Sequence, residues 1–132
     1  MSQFKPDGLI TLRSDVDCRT NGQYYIAVVG DANGDFAFAG AGAKNVHPIG
    51  VIQNKPNTGE FGTIATRGTS KVIMAENCSR GDVIVGCDAT TGKGEVADAA
   101  GEFGVGIALE ANAAGDGGVV EVLLTPGVQH TQ

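Results

Sequence analysis

Glycine is what most limits the folds open to this chain. Of 132 residues, 21 are glycine, about twice the ordinary usage of ~7%, and most stand singly between short runs of Val, Ile, Leu and Ala. The pattern is clearest in Gly101–Gly127, GEFGVGIALEANAAGDGGVVEVLLTPG. There, two apolar runs, Val105–Leu109 and Val119–Leu124, are joined by small and turn-forming residues. No strict G-X-Y period accompanies the glycine, so a collagen helix is excluded. The best helical window, Ile107–Ala114, is shorter than the ~12 residues an isolated helix needs, and one turn around Glu110–Ala113 is the most it allows. The expected class is all-β: a small glycine-rich β-barrel or β-sandwich with little or no helix.

Apolar runs place further strands at Leu9–Leu12, Gln23–Val29, Phe36–Ala39, Pro48–Ile52, Phe61–Thr66, Lys71–Ala75, Val83–Cys87 and Glu95–Ala97. Gly68 is expected to break the strand before it from the one after it. Residues 1–13 read as an N-terminal arm, 14–127 as the β domain and 128–132 as a tail. The chain also echoes itself. Gly22–Ile26 resembles Gly81–Val85, Asp31–Gly34 resembles Asp88–Gly92, Ile49–Ile52 resembles Val105–Ala108, and Gly62–Ile64 resembles Gly118–Val120. The matches keep their order at offsets of 56 to 59 positions, which predicts two related β units sharing one core.

Hydrophobic residues make up 42% and charged residues 18%, enough apolar content for a packed domain. Aromatics are 5% and Trp is absent, so the core is aliphatic and a partner or oligomer is expected to supply part of the stability. The net charge of −6, with no basic stripe or polybasic cluster, argues against nucleic acid and against an anionic membrane. No window approaches the ~20 apolar residues of a membrane span. The first residues, MSQFKPDGLITL, do not resemble a secretory leader, so synthesis in a cytosol with reduced thiols at Cys18, Cys78 and Cys87 is expected. A Cys78–Cys87 link across a hairpin is the minority alternative.

Candidate chemistry is thin. His47 and His130 are the two histidines, and His47 could serve a Cys18, Cys78 or Cys87 nucleophile, yet no nucleophile elbow is present. Asp31-Ala32-Asn33-Gly34-Asp35 lacks the downstream glutamate of a calcium loop and reads as a turn. Arg80-Gly81-Asp82 also reads as a turn, and Asn77-Cys78-Ser79 fits a glycosylation sequon that a cytosolic chain would not use. Gly101, Gly104 and Gly106 approach a dinucleotide fingerprint, but a strand follows where that motif needs a helix. The expectation is no enzyme, no metal and no cofactor.

In order, Gly22-Gln23 with its strand, the Asp31–Gly34 turn, Ile49-Gly50-Val51, Lys71–Ala75, Ser79–Val83, Gly104–Glu110, Ala113–Asp116 and Val119–Leu124 resemble the small capsid cement (decoration) proteins of tailed bacteriophages. The likeness spans roughly Asn21–Gly127, and GVGIALEANAAGDGG is its strongest part; Arg13–Thr20 and VQHTQ match nothing in it. The resemblance implies a non-catalytic β-barrel or β-sandwich. It implies a homotrimer on the outer surface of the expanded head that staples major capsid protein subunits against internal DNA pressure. It further implies an N-terminal arm that reaches the lattice. Here that arm would use Phe4, Lys5, Leu9, Ile10, Leu12 and Arg13, unless Gly8–Leu12 is simply a strand closing the protein's own barrel. The competing reading is a non-catalytic carbohydrate- or partner-binding β module of a phage fibre or other virion component.

Overall fold

The computed structural model of the chain describes residues 6–39, 46–86 and 92–129. Phe4, Lys5, Cys87 and His130 therefore lie outside the described residues. Within them there are nine strands and no helix: β1 (Pro6–Ser14), β2 (Ile26–Val29), β3 (Asp35–Phe38), β4 (Gly50–Ile52), β5 (Phe61–Ile73), β6 (Val83–Gly86), β7 (Gly94–Val96), β8 (Phe103–Ala108) and β9 (Val119–Gln129).

The first five strands close on themselves. β1 lies antiparallel to β5, with Leu9 opposite Ala65 and Arg13 opposite Phe61. Its last two residues run parallel to β3, Arg13 opposite Asp35 and Ser14 opposite Phe36. β3 pairs with β2, β2 with β4, and β4 with β5, all antiparallel. The ring β1-β3-β2-β4-β5 is thus a closed barrel, which removes exposed sheet edges. Of the two readings of Gly8–Leu12, a strand closing the protein's own barrel is the one observed.

β5 does not stop at Gly68. The backbone turns there through φ +76°, a conformation glycine adopts without a Cβ penalty, and the same strand continues into a second ring. Its second half, Thr69–Ile73, pairs with β9, β9 with β8, β8 with β6 and β6 with β7. A parallel bridge from Met74 to Gly94 closes this ring where β1 and β3 close the first.

The two barrels match in register along one wall, although the second also carries register shifts at Ile84/Val85 and Gly104/Gly106. Ile26 opposite Val51 and Val51 opposite Ala65 in the first become Val83 opposite Ile107 and Ile107 opposite Leu123 in the second. The Tyr24 amide donates to the Ile52 carbonyl at 2.7 Å, and the Gly81 amide donates to the Ala108 carbonyl at the same distance. The echo in the sequence is therefore a structural repeat, with one adjustment of register. The counterpart of Gly81 is Tyr24, not Gly22. Tyr24 has φ +67° and is the only non-glycine among the described residues with positive φ. The repeat geometry imposes a left-handed turn there, and glycine meets it in only one copy.

Ile52 and Ile64 point into the first barrel with Cys18, Tyr25, Ala27 and Phe36. Side chains alternate along a strand, so their neighbours Val51 and Ala65 point out of its wall. These two nevertheless are fully buried, joining Ile26 and Ala39 in one cluster with the interior of the second barrel: Val72, Met74, Ile84, Val105, Val120 and Val122. The wall of the first barrel therefore stops the mouth of the second. Polar groups agree, since Gln53 Nε2 on that wall donates to Ser70 Oγ on the rim of the second barrel at 2.8 Å. No buried side-chain polar atom lacks a partner among the described residues, as a well-specified interior requires.

Candidate functional site

β1 carries the four described candidates, and its pleat separates them. Leu9 and Arg13 face outward, whereas Ile10 and Leu12 face the first barrel's interior. Leu12 packs against the interior cluster. Leu9 is 55% exposed and Ile10 39%. The structure therefore does not gather Leu9, Ile10, Leu12 and Arg13 into one patch.

Arg13 is already engaged. Its Nε donates to Asp35 Oδ1 at 3.0 Å and its Nη2 to Asp35 Oδ2 at 3.1 Å, a two-pronged pair that fixes geometry as well as charge. The guanidinium, with a hydrogen bond from Asp15 behind it, holds the Asp35 carboxyl below its usual range. Asp15 itself is drawn down by the Asp31 amide, but its hydrogen bond to Asp35, partial desolvation and the charges of Asp35 and Asp31 push it up on balance. A depressed carboxyl contributes stability above its unfolded pKa of ~3.9 and loses it as pH falls through the folded value. Wild type should therefore melt higher than Arg13→Met at pH 6, and the gap should close as the pH is taken below about 4. Thermal melts over that range check it, and a gap that holds or widens in acid would remove the pair from the stability account.

Sequence reasoning missed Phe61. It sits opposite Arg13 in the β1–β5 register and is 66% exposed, so the outer face around the first barrel's seam carries Leu9, Phe61, Thr11, Thr63 and the Arg13–Asp35 pair. Its counterpart on the second barrel is Val119, also exposed. The available signal was alternation: Gly62 and Ile64 point inward, which sends Phe61 out.

The residues considered for chemistry are held elsewhere. His47 stacks on Phe103, ring centroids 3.9 Å apart. Cys18 is buried near Ser14 Oγ and the Val16 carbonyl, and Cys78 is buried near the Glu110 carbonyl; neither contacts His47. Burial pushes both thiols up, the opposite of a reactive thiolate. In the Asp31–Asp35 turn the Asp31 amide donates to the Asp15 carboxylate, and in the Ser79–Asp82 turn the Asp82 carboxylate accepts from the Ser79 amide. No group of three His, Cys, Asp or Glu is placed to hold a metal among the described residues.

No family model matches the chain, and no curated relative matches it. Among solved structures it is similar to the N base of the head fiber protein gp8.5 in bacteriophage phi29. That alignment has a TM-score of 0.64 and 17% sequence identity, and it covers 92% of this chain and 98% of that one. At this identity the likeness is one of fold, and it extends over essentially the whole of both molecules.

Proposed function

We propose that this chain is a non-catalytic structural protein of a tailed-phage virion. In this reading it binds the outer surface of the expanded head as a homotrimer and staples neighbouring major capsid protein subunits. The observation that carries the reading is the end-to-end fold likeness to a phage head fiber base, joined to the order of motifs along Asn21–Gly127. The surface supports it too. Leu9 and Phe61 expose apolar area on a fixed barrel wall beside a bidentate ion pair, and buried apolar anchors with a polar rim are what protein interfaces are built on. A protein that binds only the assembled lattice stabilises it by mass action, and several weak sites on one shell reinforce one another.

Adding the purified protein to expanded shells that lack a cement protein should give saturable binding and raise the temperature at which the shells open. Phe61→Asp should weaken that binding about tenfold or more while leaving the melt of the free protein within a few degrees. Absence of binding to any expanded shell would defeat the proposal. The fibre neighbour also suits a partner- or carbohydrate-binding module of a fibre. That reading predicts glycan binding without any rise in shell stability.

A further inference from the structure

The two barrels are equivalent in register but not in what covers them. On the first barrel, the wall residues Ile26, Val51 and Ala65 are all 0% exposed because the second barrel's mouth is seated there. Their counterparts on the second barrel are Val83, Ile107 and Leu123, directly opposite one another across three strands. Val83 and Ile107 are only half-buried, and Leu123 and the neighbouring Leu109 are exposed. The second barrel thus presents an open apolar wall.

The mouths show the converse. In the second barrel, Ser70, Val72 and Val105 are fully buried under the first barrel's wall. Their counterparts at the first barrel's mouth, Ile10, Leu12 and Ile49, are exposed or half-buried. The rim turns differ in the same sense. The Gly92 carbonyl accepts from the Ile26 amide of the first barrel's wall at 2.7 Å. Gly34, its counterpart, has φ +80° against +84° and nothing within 4 Å of the Cβ position.

We infer that a second copy of this chain fills the open mouth, so that the wall-in-mouth contact made once within the chain is repeated between chains, head to tail. The occupant of the mouth at Ile10, Leu12 and Ile49 is the wall of Val83, Ile107, Leu109 and Leu123 from the next copy. The internal contact is the template for this choice, since a mouth of the same strand register already accepts a wall of the same strand register. The exchange of a polar pair at the joint follows the same logic. Inside the chain Gln53 reaches Ser70; between chains their counterparts would be Leu109 and Ile10, two exposed apolar residues that lose water on contact. Such a contact uses different surfaces on the two partners, and it forms a ring if the rotation closes. The inference stands on the repeat and is independent of capsid binding.

The test is complementation by size-exclusion chromatography with light scattering. Wild type should run as an oligomer, a ring if the rotation closes and an open series if it does not. Ile10→Lys, whose long stem can carry its charge out to water from the rim, spoils the mouth and Leu123→Asp spoils the wall, so each should run at the mass of one chain with circular dichroism close to wild type. An equimolar mixture should give a dimer and nothing larger, because one good mouth and one good wall remain. Leu109→Asp is the second wall variant should Leu123→Asp fold poorly. Oligomers that persist in both kinds of variant would overturn the head-to-tail contact and leave a trimer standing. Variants that are monomeric but do not combine would also overturn it, and a wild type that is monomeric at every concentration would remove both.

Discussion

Gly106→Val is expected to leave no folded, soluble protein, and Gly50→Val is expected to do the same. A side chain at Gly106 would be built onto the Leu123 carbonyl, with Val122 Cγ1 2.8 Å away, and one at Gly50 would be built onto the Ala65 carbonyl. These are equivalent places in the two barrels, where a short middle strand crosses the last strand more closely than any Cβ permits. The obstacle is a backbone group in a hydrogen-bonded ladder, which cannot move aside as a side-chain tip can. Relief would require sliding β8 off β9 or β4 off β5, with loss of ladder bonds and of the buried row beneath. Ordinary overpacking costs ~1–3 kcal/mol; this case should exceed it and reach the ~4–5 kcal/mol that unfolds a marginal domain. Gly34→Ala is the control. It meets open space and bears only the left-handed penalty of ~1–2 kcal/mol. Soluble yield and thermal melts decide the matter, and a Gly106→Val protein melting within a few degrees of wild type would show that the close approach is not needed.

That pair of glycines also marks how far the sequence could be read. Ile49-Gly50-Val51-Ile52 and Val105-Gly106-Ile107-Ala108 stand out as an echo because close strand approach selects glycine at one spot and β-branched residues around it. The order and spacing of such motifs therefore reveal the repeat, and their glycine and aliphatic content reveals the all-β class. The continuity of β5 through Gly68 was not legible, since a strand break and a strand that changes barrels both call for glycine. Nor was the counterpart of Gly81, because a tyrosine fills that place in the first barrel. Exposure was the least legible property of all. Val51 and Ile107, or Ser70 and Ile10, are similar in pattern and equivalent in register, yet one of each pair is buried only because a barrel happens to be seated on it. The Arg13–Asp35 pair escaped for a related reason: it depends on a parallel β1–β3 pairing, and nothing local in either segment announces its partner.

Phe36→Ala should cost about 3–5 kcal/mol, and Gly62→Val made on top of it should return part of that loss. Phe36 is the largest fully buried side chain among the described residues, and it fills the first barrel against Gly62, whose Cβ would lie 2.7 Å from the ring's Cε1 and Cζ. The second barrel solves the same space differently. Gly94 stands in Phe36's place, Val120 in Gly62's and Met74 in Ser14's, as the closing registers require. A Cβ on Gly94 would press on Ile84 Cγ2 at 2.8 Å and Met74 Sδ at 2.9 Å, so the room taken by one ring in the first barrel is divided between two aliphatic chains in the second. Interiors hold to a near-constant density, and the two barrels reach it with different parts at equivalent places. Gly62→Val alone should therefore be destabilising, because Phe36 occupies its space. Combined with Phe36→Ala it should become favourable, with a coupling energy of ~2 kcal/mol or more in a double-mutant cycle. Denaturant unfolding of the four proteins measures this directly. If the two costs simply add, the cavity is not shared, and the trade of aromatic for aliphatic volume between the barrels would need another explanation.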